Sequence, residues 1–213
     1  MPRALIFVNG ELIDPGAARS IVQPEDVVIA ADGGARHALS LGVIPSAILG
    51  DLDSLSAEEV RKFTDMDVHI LRFPQNKDET DMELALKHAL RAGYSPIIII
   101  AALGGRLDQT LGNLALLTGA EALQADVRLD DGLTEAFFVT SKGLIHGQAG
   151  DTVSFIPWGV PAEGVSTDGL AYPLHKDTLY PYSSRSISNQ MLAKTAKVSL
   201  KQGLLLCVHI RKK

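Results

Sequence analysis

Over the first two-thirds of the chain, apolar runs alternate with helical patterns. Ala4–Val8, Val27–Ala31, Ala47–Leu49, Val68–Leu71, Ile97–Ala101 and Val127–Leu129 are apolar runs, broken only at His69 and Arg128, as expected of strands covered on both faces. Between them the periodicity becomes helical. Ser56 followed by Glu59 forms a capping box that predicts a short helix reaching about Lys62. Met82, Leu86, Ala89 and Leu90 share one face of a second helix, which Gly93 ends. Leu111, Leu114, Ala115 and Leu117 mark the apolar face of a third. This alternation predicts an α/β domain with a doubly wound parallel sheet.

From about Gly143 the helical signal disappears. Leu144–Gln148, Thr152–Ile156, Val165–Thr167, Ser186–Ser188, Ala196–Leu200 and Leu204–Ile210 read as short strands, separated by frequent glycine and proline. The spacing predicts a small antiparallel all-β sandwich or barrel. The expected division is therefore an α/β domain over 1–142 and a β-domain over 143–213. The second unit is thin for a free-standing core, so it is expected to pack on the first or on another subunit.

Composition narrows the partners. The 213-residue chain carries a formal net charge of −5, which argues against a nucleic-acid surface and its basic stripe. Cys207 is the only cysteine, so no intramolecular disulfide forms and a reducing compartment fits. The opening segment is too short in apolar residues for a signal peptide, and the run Ile97–Leu103 is far below a membrane span. A cytoplasmic protein without membrane attachment is expected.

The candidate chemistry lies where strands end. Asp32-Gly33-Gly34, Gly50-Asp51-Leu52-Asp53-Ser54, the segment from Gln75 to Asp81, and Gly104-Gly105-Arg106-Leu107-Asp108 each follow an expected strand. In an open α/β sheet, that edge carries the ligand crevice. Any single Asp- or Gly-rich segment is more simply a turn. Four of them on one edge favour a site. Crowded carboxylates call for a hard cation, and Mg²⁺ commonly arrives with substrate phosphates. Asp51 and Asp53, two apart in an expected extended segment, project to one side and are the leading metal ligands, joined by Asp81. Thr80 is read first as a helix cap, and Asp78 and Glu79 as first-turn acids facing water. Gly33 and Gly34 offer backbone N–H groups to a phosphate or ribose. Arg106 is a phosphate partner, Lys77 a weaker candidate, and Asp108 either caps a helix or holds Arg106. The six histidines show no ligand spacing, and no GxSxG, GxxxxGK[ST] or GxGxxG motif is present.

ADGGARHAL, LGDLDS, PQNKDETDMELAL and LGGRLDQTLGNL, in this order, resemble the thiamine pyrophosphokinase family, as do STDGLAYPL and SSRSISNQ further on. The resemblance covers nearly the whole chain. It implies an α/β nucleotide domain followed by a β-sandwich. It also implies pyrophosphoryl transfer from ATP to thiamine with Mg²⁺, and a homodimer whose thiamine site is shared between subunits. By the same resemblance, Asp51, Asp53 and Asp81 hold the metal and organise the reaction. Asp32, Gly33, Gly34, Lys77, Thr80, Arg106 and Asp108 line the nucleotide and phosphate path, and Ser166, Tyr172, Ser188 and Asn189 surround thiamine. The chain departs from the family pattern at Tyr172, where some members have tryptophan, at Gln109, where histidine is frequent, and at Ser186, where glycine is common. The competing readings are a Mg²⁺-dependent phosphoesterase and a non-catalytic nucleotide sensor on the same fold. The first has no need of an aromatic stacking site, and the second has no need of three retained acids.

Overall fold

A computed structural model describes residues 1–212 and divides them into two compact units, 1–132 and 133–212. The first unit contains the parallel strands β1 (Ala4–Phe7), β2 (Val27–Ala31), β3 (Ala47–Gly50), β4 (His69–Arg72), β5 (Ile97–Ile100) and β6 (Val127–Asp130). Its helices are α1 (Pro15–Ile21), α2 (Gly34–Ser40), α3 (Ala57–Asp65), α4 (Asp81–Arg91), α5 (Leu107–Leu116) and α6 (Ala120–Gln124).

These strands form where the apolar runs placed them; β1, β3 and β5 are buried at every position, whereas the edge strand β4 is mostly exposed and lacks the expected cover on both faces. Leu5, Phe7, Val28, Ile98 and Ile100 point to one face, where Ala18 of α1 and Ala38 of α2 cover them. Ala30 and Ile48 on that face meet Phe63 of α3. Helix α4 packs over β1, β2 and β3 through Met82, Ala85, Leu86 and Ala89. The strand order is β6-β5-β1-β2-β3-β4. The chain thus winds outward from β1 to β4, then returns to the other side of β1, so its direction reverses between β1 and β5. A crevice at the carboxyl ends of those strands follows from that reversal.

The helix termini match their sequence signals. Ser56 and Glu59 exchange both bonds of the capping box, and Thr80 accepts from Glu83 N at 3.2 Å. Helix α5 departs from expectation: Leu114 and Leu117 are buried, whereas Leu111 is half exposed, so its apolar face is narrower than the sequence pattern.

The second unit holds two antiparallel sheets. One pairs β7 (Thr134–Val139), β14 (Leu205–Ile210), β9 (Thr152–Pro157) and β12 (Asn189–Gln190) in that order. The other orders β11 (Asp177–Leu179), β10 (Ala162–Asp168), β13 (Thr195–Ser199) and β8 (Lys142–His146). Phe137, Phe155, Leu205 and Cys207 from the first sheet and Ile145, Val165, Ala196 and Val198 from the second share one core. This is the expected sandwich.

Two expectations change. The unit begins at 133 rather than 143, because β7 pairs with β14 over its whole length, Phe137 opposite Cys207. Ser186–Ser188 is not a strand. Phe155 N donates to Ser186 O, but Ser186 Oγ donates to Phe155 O, Ser188 N donates to Ser154 Oγ, and Ser188 takes a left-handed φ of 61°, so side-chain bonds replace the rest of a ladder. No described helix is long and apolar enough to cross a membrane.

At Gly34 the first turn of α2 lies directly against the end of β1, and a Cβ there would overlap the carbonyl of Phe7. Gly34→Ala is expected to destabilise the protein by about 1–3 kcal/mol through overpacking, measured by urea denaturation. Gly42→Ala, with nothing within 4 Å of its Cβ but a φ of 72°, is the comparison that isolates backbone strain from packing.

Candidate active site

The carboxyl ends of the strands deliver their polar groups to one cavity of about 640 Å³. Asn9 and Gly10 follow β1, Asp32 follows β2, and Asp51, Asp53 and Ser54 follow β3. Asp81 opens α4, and Gly104, Gly105 and Arg106 follow β5. Three of these strand ends turn on non-glycine residues with left-handed backbone: Asp32 (φ 45°), Leu52 (φ 66°) and Ala101 (φ 61°). Each costs roughly 1–2 kcal/mol, and strain of this kind gathers at functional sites.

The turn at Leu52 replaces the extended segment expected for Asp51–Asp53. Leu52 is buried against Ile48, Leu55 and Phe63, which fixes the reversal and leaves both neighbours on the cavity side. Asp53 N donates to Asp51 Oδ1 at 3.1 Å, and Ser54 Oγ links Asp53 to Asn9. Arg36 Nη2 donates to Ser54 O at 2.6 Å while its guanidinium pairs with Glu59, bracing the loop from α2 and α3.

Carboxylate oxygens of Asp32, Asp51 and Asp53 lie within 4.8 Å of one another. Asp81 stands apart from that trio, across the end of β3. A Cβ at Gly50 (φ 150°) would sit 3.1 Å from both Asp32 Cβ and Asp81 Cγ, so only glycine lets these two carboxylates flank the strand end. Lys77 Nζ lies 3.1 Å from Asp81 Oδ1 and 3.6 Å from Asp51 Oδ2. Its contact with Asp81 is an ion pair without hydrogen-bond alignment, and Asp32 Oδ1 and Asp81 Oδ1 are buried with no hydrogen bond. Burial pushes the Asp81 carboxyl up, outweighing Lys77, while Asp51 and Asp32 push it further up. Burial pulls Lys77 down, but Asp81 and Asp51 leave it above the usual lysine value. Asp81 is therefore the member of this pair whose charge is disfavoured. An all-oxygen donor set in which buried Asp32 Oδ1 has no donor and Asp81 Oδ1 has only an imperfectly aligned ammonium suits a hard cation such as Mg²⁺.

The other expected residues divide. Arg106 lines the cavity, and Asp108 holds its guanidinium at 2.5 and 3.1 Å. Thr80 is exposed and serves as a cap. Gly33 and Gly34 do not line the cavity; they allow α2 to approach Asn9 and Phe7. Sequence reasoning missed Asn9, Glu11 and Asn113, which also line it. Asn113 Nδ2 donates to Ala102 O at 3.0 Å, tying α5 to the end of β5. Asn9 follows an apolar strand just as Asp32 does and was legible by the same rule, whereas Asn113 inside a helix gave no such signal.

In the second unit Tyr172 and Asn189 line one small cleft with Arg185 and Ser186. Asn189 accepts from Tyr172 N at 3.0 Å and donates to Tyr172 O at 2.7 Å, while the Tyr172 side chain is exposed. Ser166 lines a different hollow, on the outer face of β10 and β13, and accepts from Lys176 N. Ser188 is exposed and does not line the Tyr172 cleft.

A doubly wound domain with an acid-lined cavity at its switch point, joined to a β-sandwich, defines an α/β enzyme built to handle phosphates. Residues 18–129 match the family model described as thiamin pyrophosphokinase, catalytic domain, and residues 143–205 match thiamin pyrophosphokinase, vitamin B1 binding domain. The chain belongs to the thiamin pyrophosphokinase family. It is 29% identical over 183 residues to thiamine pyrophosphokinase of Bacillus subtilis, covering 85% of this chain and 86% of that one. It is 28% identical over 177 residues to thiamine pyrophosphokinase 1 of Arabidopsis thaliana, covering 79% of this chain and 66% of that one. The crystal structure of the thiamine pyrophosphokinase from Bacillus subtilis superposes with a TM-score of 0.87 at 25% identity, covering 99% of this chain and 100% of that one.

The Asp81 carboxyl, raised in the fold, binds its proton more readily there than in the unfolded chain. Its contribution therefore opposes stability once pH rises above the carboxylate range. Asp81→Asn is expected to raise the Tm of the metal-free protein at pH 7, by about 2–4 °C for each 1 kcal/mol relieved. The gain should shrink toward pH 4; calorimetric scans at both pH values in EDTA measure it, and an equal gain at each would contradict this account.

Proposed function

We propose that the chain transfers the pyrophosphoryl group of ATP to the hydroxyethyl oxygen of thiamine, giving thiamine diphosphate and AMP. The observation that carries this reading is the convergence of Asp32, Asp51 and Asp53 at the switch-point cavity of a chain matched by both domains of one family. Thiamine's hydroxyl oxygen forms the new bond to the β-phosphorus as the bond from that phosphorus to the α–β bridging oxygen breaks. AMP leaves with the bonding pair. Transfers of this type depend on alignment and charge neutralisation more than on covalent help.

Asp51 and Asp53, with Asp32 or Asp81 completing the set, are the residues we assign to Mg²⁺. When bound, the ion supplies positive charge to phosphate oxygens in an otherwise acidic cavity. Arg106 and Lys77 offset the remaining phosphate charge. One of these acids accepts the hydroxyl proton, Asp81 where Asp32 completes the metal set. Tyr172 presents an exposed ring for stacking on thiamine, with Asn189 fixing its backbone. Ser166, in its separate hollow, and Ser188, outside the Tyr172 cleft, are assigned to thiamine on the family resemblance and not on a place beside that ring. The working unit we infer is a homodimer in which Tyr172 of one subunit serves the acidic cavity of the other.

Incubation with ATP, Mg²⁺ and thiamine should yield AMP only when thiamine is present. ADP, or nucleotide breakdown without thiamine, would instead identify a phosphatase. Asp51→Asn and Asp53→Asn should each lower kcat by about 10²-fold or more, the scale of losing an electrostatic partner of the transition state. Both should also abolish the rise in Tm that Mg²⁺ gives the wild type. Near wild-type turnover in both variants at saturating Mg²⁺ would remove the metal assignment.

Tyr172→Ala should raise the KM for thiamine by about 2–10-fold, the worth of one stacking contact, and leave that for ATP nearly unchanged. Co-refolding Asp51→Asn with Tyr172→Ala tests the shared site. At sub-saturating thiamine, mixed dimers should exceed the average of the two separate variants, since one of their two sites is then intact. Activity equal to that average, with mixed dimers confirmed by mass, would place the thiamine site within one chain.

A further inference from the structure

We propose that a second cavity of the α/β unit, between the edge strand β4 and helix α4, binds a nucleoside phosphate. Its volume is about 260 Å³. Leu71, Phe73 and Leu84 form an apolar floor, and Lys87, His88 and Arg91 stand at its rim. Leu71 is 38% exposed, unlike the apolar residues of the inner strands, because β4 ends the sheet.

Three cations line this cavity, and ion pairs elsewhere leave one of them, Arg91, uncompensated among the described residues. The whole chain carries −5, yet the only acid lining the cavity is Glu79, against Lys77, Lys87 and Arg91. Lys87 is balanced by Glu83 at 2.8 Å and Glu79 at 3.2 Å. Lys77 lines this cavity, but its ammonium is committed to Asp51 and Asp81 in the acidic one, so the two cavities share it as a wall. Arg91 has no ion-pair partner among the described residues. The carboxyl end of α4 accounts for a cation in its last turn. It does not account for an uncovered apolar floor facing that cation.

An apolar floor with an aromatic ring, closed by an unpaired guanidinium and an imidazole, recognises a flat ring that carries a phosphate. The ring lies on Phe73 and Leu71, and the phosphate is held by Arg91 and His88. Thiamine diphosphate shares the ring and the phosphates, but its thiazolium cation would face a positive rim. A nucleoside phosphate has no such penalty. The volume admits one small molecule and no peptide or lipid chain.

The choice of AMP as probe rests on the pyrophosphoryl transfer proposed above, of which it is the leaving product. Leucine-methyl-labelled protein is titrated with AMP in EDTA and followed by NMR. The Leu71 and Leu84 methyls should shift saturably, while inorganic phosphate gives a weaker response. Arg91→Ala and His88→Ala should each raise the AMP midpoint at these methyls about tenfold, the loss of one charge-assisted bond. Both variants should keep wild-type thiamine-dependent AMP production. No shift of Leu71 and Leu84 at millimolar AMP, or an unchanged midpoint in Arg91→Ala, overturns the site. A tighter response to thiamine diphosphate than to AMP overturns the ligand class. Should the chain make no AMP from ATP and thiamine, the transfer reading fails, while the methyl shifts still decide this cavity by themselves.

Discussion

Like charges held together without a counter-ion require a framework that leaves them no alternative. Two carboxylates 4 Å apart repel by about 4 kcal/mol at an effective dielectric constant of 20. Asp32, Asp51, Asp53 and Asp81 nevertheless line one cavity. What fixes them is the parallel ladder of β1, β2, β3 and β5, in which apolar residues are buried on both faces and the register is set by packing. A slip by one residue would exchange the two faces of every strand, so the strand ends cannot move apart to relieve repulsion. Lys77 offsets part of the charge, and three left-handed turns absorb the rest of the geometric demand.

The same framework explains which features were legible in the sequence. Parallel strands announce themselves as apolar runs, so six strands and their order of appearance were readable from Ala4 to Leu129, although His69 and Arg128 interrupt two of the runs and the exposure of edge strand β4 was not legible. The edges of the second unit were not. Asp131-Gly132 marks a turn before Thr134–Val139, but the strand opens with Thr and Glu, so its pairing with β14 was invisible until the ladder was seen. At Ser186–Ser188 a residue pattern compatible with a strand is diverted by hydroxyl-to-backbone bonds that depend on Ser154 and Phe155 in another strand. Leu111 fits a helical stripe, yet nothing covers it enough to bury it.

The candidate site shows a similar division. Residue identities at strand ends were legible because Asp and Gly stand out after apolar runs. Their grouping was not, since the backbone reversal at Leu52 depends on a pocket made by Ile48, Leu55 and Phe63. Arg36 is a further case: its role comes from contacts with Ser54 and Glu59, distant in sequence. Glu59, hydrogen-bonded to Arg36 and to Ser56 N, is held down to a pKa of about 2, so this brace on the acidic loop persists well below neutral pH. Long-range dependence of this kind leaves no periodic trace along the chain.

Asn189 satisfies both backbone polar groups of Tyr172 with one side-chain amide, and its oxygen also accepts from Gln190 N. The peptide plane on either side of Tyr172 is thereby immobilised while the phenol ring remains in water. A molecule settling on that ring has only the two side-chain torsions of the tyrosine left to order, and no loop. Each rotamer-rich side chain immobilised on binding costs about 0.5–1.5 kcal/mol, and ordering a backbone segment costs more per residue. On the stacking role proposed for Tyr172, the amide contributes to recognition without touching what is recognised: it moves the entropic cost of the encounter into the folding of the chain.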